Sequence, residues 1–154
     1  MIILDTNVLS ALMRTEPEEQ VVRWLDRQPA ESVWTTSITV FEARFGIALL
    51  PQGGRRRTLE QSFARVLHED LESRILDFDS SAADEAAALA ANRQKSGRPV
   101  DFRDTQIAGI ALSRHATIAT RNVRHFQGLK PQHAADGSGG AWRLRPVIRD
   151  LPDG

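Results

Sequence analysis

The residues of this chain best suited to chemistry are three acids from three separate stretches, Asp5, Glu42 and Asp104. Three carboxylates within a few ångströms repel one another, so such a group must keep a proton or recruit a cation. A hard divalent ion resolves the conflict, and magnesium takes only one or two carboxylates and completes its shell with water and substrate phosphate. Bound water becomes more acidic, and charge building on a phosphodiester oxygen is neutralised. The set therefore points to phosphoryl chemistry. Each acid also has a structural reading. Asp5 can cap a helix, and an acid in a first helical turn, as expected for Asp104, complements the helix dipole. Glu42 is harder to explain, because it stands beside Phe41 and three residues before Phe45, at the margin of an apolar stripe.

The elements that must position these acids follow from pattern. Ile2-Ile3-Leu4 is wholly apolar, as in a strand buried on both faces, and it stops at Asp5-Thr6-Asn7, which favours a turn or cap. Val8, Leu9, Leu12 and Met13 then recur at helical spacing, and a second helix is expected after Pro17. Val33 to Thr36 reads as the next strand, with Ser37 capping a helix whose inward stripe is Ile38, Phe41, Phe45, Ala48 and Leu49. Pro51-Gln52-Gly53-Gly54 closes it, and a further helical pattern runs from Arg55 to Leu71. Ile75 to Phe78 is a plausible strand, and Ser81 with Asp84 has capping-box spacing ahead of an alanine-rich helix. Gly97 and Pro99 end that helix, the next spans about Phe102 to Arg114, and Thr117 to Thr120 is the last core strand.

This alternation predicts an α/β fold with a central, mostly parallel sheet flanked by helices. Ligands of such sheets bind beyond the carboxyl ends of the strands. Asp5 directly follows the first strand, Glu42 lies early in the helix after the second, and Asp104 opens the helix leading into the last. All three have a route to one edge. One domain over residues 1–128 is expected, then a tail over 129–154 that is partly flexible around Gly137 to Gly140, with Arg145 to Ile148 as an edge strand.

Composition removes other classes. Zero net charge gives no global field toward nucleic acid or membrane, although a local basic strip remains compatible with it. The absence of cysteine excludes a disulfide framework, a thiolate metal site and a cysteine nucleophile. Met1 to Asp5 is too soon charged for a signal peptide, and no apolar run approaches the roughly 20 residues of a membrane span, so a cytoplasmic protein with no membrane contact is expected. Nearly all bases are arginine, whose planar fork suits phosphate, though a biased genome composition explains the same usage. Arg44, two residues from Glu42, is the candidate for binding a nucleic-acid phosphate; Arg55-Arg56-Arg57 serves equally well as a solvated helix start.

Four blocks carry a family resemblance: Ile3-Leu4-Asp5-Thr6-Asn7-Val8, the stretch from Thr36 through Glu42 to Gly46, Asp104-Thr105-Gln106-Ile107-Ala108-Gly109-Ile110-Ala111, and Ala119-Thr120-Arg121-Asn122-Val123-Arg124-His125-Phe126. In this order and spacing they resemble the PIN-domain ribonucleases, above all the VapC- and FitB-type toxins of type II toxin–antitoxin pairs. The resemblance implies a PIN-like fold, an endoribonuclease using magnesium with manganese as a substitute, a cognate antitoxin that inhibits it, and a homodimer. It makes Asp5 and Asp104 the metal-holding acids, Glu42 the third catalytic acid, and Thr6, Asn7, Thr120 and Asn122 the small polar residues that tie the carboxylates down.

This chain departs from the pattern after the last strand, where many relatives have a fourth acid and it has Asn122; His125 occupies the place of an alternative acid. One metal is therefore expected rather than two. Asp101, three residues before Asp104, stands one turn away as a solvated or assisting acid. An exposed acidic pocket also suits an arginine, so insertion of one by the antitoxin is the expected mode of inhibition. Two other functions fit parts of the sequence. A haloacid-dehalogenase-like phosphatase also places an aspartate after its first strand but needs a second two residues on, where this chain has Asn7. A catalytically decayed domain that only binds RNA or antitoxin would account for Asn122 and His125.

Overall fold

The computed structural model describes residues 1–122 and Phe126. The expected tail, its edge strand and His125 lie outside the described residues.

Strands β1 (Ile2–Leu4), β2 (Val33–Thr36), β3 (Ile75–Leu76) and β4 (Thr117–Ala119) form one sheet in the order β3-β2-β1-β4, and every pairing is parallel. The most apolar strand is thus central, as expected for a segment buried on both faces. Its register sets Ile3 opposite Trp34 on one side and opposite Ile118 on the other. Alternation then divides the core. Leu4 joins Val8, Leu9, Val21, Ala43, Ile47 and Phe63, which belong to helices α1 (Thr6–Leu12), α2 (Glu19–Leu25), α3 (Ser37–Ala48) and α4 (Gly54–Arg65). Ile3 joins Leu89, Ile107 and Ile110 from α5 (Ser80–Lys95) and α6 (Phe102–Ser113). Ile3 and Leu4 are fully buried, each contributing about 1.5–3 kcal/mol through removal from water.

Helices α5 and α6 pack unusually closely. A Cβ on Gly109 of α6 would stand 2.4 Å from the Ala82 carbonyl oxygen and 2.8 Å from the Ala86 Cβ of α5. Any side chain there forces the helices apart, and with them the helix that carries Asp104.

Several local expectations are corrected. The helix from Ser37 is capped one residue earlier, because the Thr36 hydroxyl accepts from the Thr39 amide at 3.0 Å. The alanine-rich helix begins after Asp79, whose carboxylate accepts from the Ala82 amide at 2.9 Å and replaces the expected Ser81–Asp84 box. Strand β3 ends at Leu76; the Phe78 amide donates to Ser37 Oγ at 3.3 Å instead of to a neighbouring strand. The helix expected over Arg55 to Leu71 ends at Arg65 and widens into a π turn over Val66–Asp70.

The largest correction concerns α3. Its buried face is Thr39, Ala43 and Ile47, while Phe41 (55 % exposed), Phe45 and Leu49 point outward. Phe41 and Phe45 stack on each other with ring centres 5.9 Å apart. Both sets repeat every fourth residue, and they lie about 200° apart around the helix. Periodicity therefore sets the spacing and leaves the phase open, and the smaller residues take the close contact with the sheet.

Candidate active site

Asp5 is held at three atoms. Its amide donates to the Ala119 carbonyl at 3.1 Å, extending the β1–β4 pairing by one residue. Its Oδ1 caps α1 by accepting from the Val8 amide at 3.0 Å, and its Oδ2 accepts from the Thr120 hydroxyl. The capping reading of Asp5 thus holds, on the same side chain that is the candidate for the site. The residue is 3 % exposed. Burial pushes its carboxyl above the ordinary aspartate range. Hydrogen bonds from Thr120, Val8 and Asn7 pull it back only partly, and the negative charge of Asp104 adds to the rise. Asp5 and Asp104 therefore feel one another, as two acids of one site must.

Asp104 lies in the first turn of α6, which Asp101 caps by accepting from the Arg103 and Asp104 amides at 2.9 and 3.2 Å. The Thr105 hydroxyl donates to the Asp101 carbonyl at 2.6 Å and tightens the same turn. The Oδ2 atom of Asp104 is buried, whereas Asp101 is exposed and its carboxylate is occupied by the cap.

Glu42 is gripped from both sides. Thr6, the residue after Asp5, donates its hydroxyl to Oε2, and Arg103, the residue before Asp104, lies 3.4 Å from Oε1. The Glu42 side chain is 17 % exposed. The expected reason for its position, an inward stripe of phenylalanines, is wrong; it sits beside the Thr39–Ala43 face, over the ends of α1 and α6. Among the described residues no group of three or more His, Asp or Glu side chains stands close enough to hold a metal. Asp5 lies within electrostatic reach of Asp104, and Glu42 stays with Thr6 and Arg103.

The supporting residues behave unequally. Thr120 holds Asp5, and its hydroxyl in turn accepts from the Asn122 amide at 2.9 Å, so Asn122 contributes through its backbone. Thr6 holds Glu42 rather than its own neighbour Asp5. Asn7 is exposed, and its amide, not its side chain, supports Asp5. Arg44 does not join the acids. Two positions from Glu42 is about 200° around a helix, and its guanidinium lies 5.9 Å from the centre of the Phe63 ring on α4. There it lines a separate pocket of about 290 Å³ with Arg56, Glu60 and His68. Among the described residues, Arg103 is a cation that does reach Glu42, and sequence reasoning passed over it; the available signal was a base directly before the α6 acid.

The sequence profile of the PIN domain matches residues 2–129. The chain belongs to the PIN-domain family. It is 37 % identical over 127 residues to the VapC ribonuclease Y4jK of Sinorhizobium fredii, covering 82 % of this chain and 91 % of that one. It is 36 % identical over 126 residues to toxin FitB of Neisseria gonorrhoeae, with the same coverage of both chains. The structure of FitAB bound to an IR36 DNA fragment superposes with a TM-score of 0.72 at 36 % identity, over 82 % of this chain and 88 % of that one. This PIN domain has the expected α/β architecture, and the haloacid-dehalogenase-like alternative is not favoured. Among the described residues, no helix is long and apolar enough to cross a membrane.

Proposed function

We propose that this PIN domain is a toxin-type endoribonuclease that hydrolyses RNA phosphodiester bonds, with Asp5, Glu42 and Asp104 as its catalytic acids. The kinship with a VapC ribonuclease and a FitB toxin supports the activity. The observation that carries the site is the buried Asp5 carboxylate, coupled to Asp104, with Glu42 held between their sequence neighbours.

The donor set fits a hard divalent ion, since two oxygen-bearing acids at one place suffice when water and phosphate complete the shell. Asp5 and Asp104 would hold it, and we assign magnesium, with manganese as a substitute. When bound, such an ion supplies a more acidic water and neutralises charge on the phosphoryl oxygen. The chain's own residues do the rest. The Val8 amide and the Thr120 hydroxyl fix both Asp5 oxygens, and the Asp101 cap fixes the backbone of Asp104. Glu42 orients the attacking water and accepts its proton. The water oxygen forms the new bond to phosphorus, the ester P–O bond breaks, and the departing alcohol leaves with a proton from solvent.

The nuclease unit is taken as residues 1–128 with a tail over 129–154. The working form is a homodimer in the cytoplasm, restrained by a cognate antitoxin. An inhibitory antitoxin arginine at these acids has a local counterpart, because Arg103 already sets a guanidinium on Glu42. The test is cleavage of single-stranded RNA with magnesium by the wild type and by the Asp5→Ala and Asp104→Ala variants. Both variants should be inactive, and full activity in a clean Asp5→Ala preparation overturns the assignment.

A further inference from the structure

We propose that Arg103 is a substrate-contacting residue, whose guanidinium exchanges the Glu42 carboxylate for an RNA phosphate adjoining the one that is cut. The inference rests on the nuclease reading above.

Its geometry is that of a tethered but movable cation. The Arg103 amide is fixed by Asp101 at 2.9 Å, so the base of the side chain cannot drift from Asp104. Beyond it the side chain is 53 % exposed and makes one long contact, 3.4 Å, to one oxygen of Glu42. Ion pairs of this exposure contribute little net stability. A guanidinium so held trades one oxyanion for another at small expense, and a phosphate, which accepts two parallel hydrogen bonds, is the better-matched partner.

Charge supplies the need. A site built from carboxylates repels the polyanion it must bind, and an ion at Asp5 and Asp104 acts on one phosphate only. Neighbouring phosphates require a cation from the protein. Arg14 and Arg121 are both drawn to Glu18, at 2.7 and 2.8 Å. Arg114 pairs with Asp79 at the far end of α6, and Arg44 faces α4. Arg93 reaches Thr105, the residue after Asp104, at 3.5 Å, whereas Arg103 is paired with Glu42 itself. Its departure also releases Glu42 Oε1, so substrate docking and the freeing of the third acid become one event.

The experiment measures binding of a fluorescent single-stranded RNA by anisotropy in EDTA, where nothing is cut, across a salt series, with magnesium-dependent steady-state cleavage alongside. R103Q should weaken binding about five- to tenfold and flatten the plot of log affinity against log salt by about 0.7, the effect of one lost contact to a single strand. R103K should keep the slope. R23Q, which removes a distant cation paired with Glu19 on α2, should change neither. E42Q should tighten binding, and the gain should vanish in the E42Q/R103Q double variant. In cleavage, R103Q should raise KM more than it lowers kcat.

If R103Q binds RNA with wild-type affinity and slope and only kcat falls, Arg103 is a clamp for Glu42 and the proposal is overturned. The nuclease reading then stands. A wild type that neither binds nor cuts RNA would instead remove that reading and this inference together. An unchanged thermal midpoint in R103Q and R103K separates these outcomes from misfolding.

Discussion

Asp5 and Asp79 do the same local job in two parts of the molecule. Each stands before a helix and accepts from the amide three residues on, at 3.0 Å for Asp5 and 2.9 Å for Asp79. Their second oxygens differ. Asp5 turns its own to the neutral Thr120 hydroxyl in a buried setting beside another acid, whereas Asp79 pairs with Arg114 at 2.5 Å where both are partly exposed. Their acidities move in opposite directions accordingly. Burial raises Asp5, while the Ala82 amide and the Arg114 side chain lower Asp79. A capping aspartate that is finished, with its charge answered, belongs to the fold. One buried beside another acid carries a charge that its local hydrogen bonds answer only partly.

The largest effect should come from replacing each with asparagine, which caps a helix about as well as aspartate. Asp5→Asn should lower magnesium-dependent RNA cleavage by on the order of a thousandfold, the scale on which catalytic groups act, while Asp79→Asn retains wild-type turnover. Equal losses in the two variants would mean that the cap, not the site, is what matters. Divalent ions provide a readout free of turnover. Manganese should raise the thermal midpoint of the wild type and of Asp79→Asn, and leave Asp5→Asn and Asp104→Asn unmoved. Next in size is Thr120→Val, which removes the hydroxyl on Asp5 Oδ2. Loss of such a supporting group should reduce activity or metal affinity about 10–100-fold.

How much of this contrast was legible beforehand depends on the range of the interaction. Asp5 was readable because a three-residue apolar strand, a cap signal and a helical pattern adjoin it in the chain. The Asp104 helix was readable for the same reason, and the parallel sheet followed from the alternation of elements. Glu42 was singled out with a faulty argument, since two apolar faces of α3 share one period and only packing decides which turns inward. Asp79 was missed because Ser81 and Asp84 offered a competing cap, and the partner of its second oxygen, Arg114, is 35 residues away. Arg103 carried only a weak local signal, a base directly before Asp104, because the partner that gives it meaning, Glu42, is 61 residues distant. Local signals place the acids; the groups that answer or withhold charge come from elsewhere in the chain.

The two capping aspartates sit by opposite ends of α6, and Gly109 lies between those ends. Gly109→Ala should destabilise the protein by about 1–3 kcal/mol through overpacking against α5, measured by denaturant unfolding. Loss of manganese stabilisation with an intact Asp79–Arg114 pair would locate the strain at the Asp104 end.

The smallest effect, and the most direct test of the contrast, is the pH dependence of stability without metal. For Asp5 the folded pKa lies above the unfolded value near 3.8. The native state therefore holds more protons than the unfolded state between those values, and this residue's contribution falls as pH rises through that window. Asp79 has the reverse sign. Its folded value lies below 3.8, so its stabilisation is present at neutral pH and is lost as pH falls through the folded value. Melting curves in EDTA should thus show Asp5→Asn more stable than wild type at pH 7, with the gain shrinking toward pH 4. Asp79→Asn should be slightly less stable at pH 7, with its deficit closing in acid. Parallel shifts of the same sign would show that the two carboxylates share one environment, and Asp5 would then have no special claim to a cation.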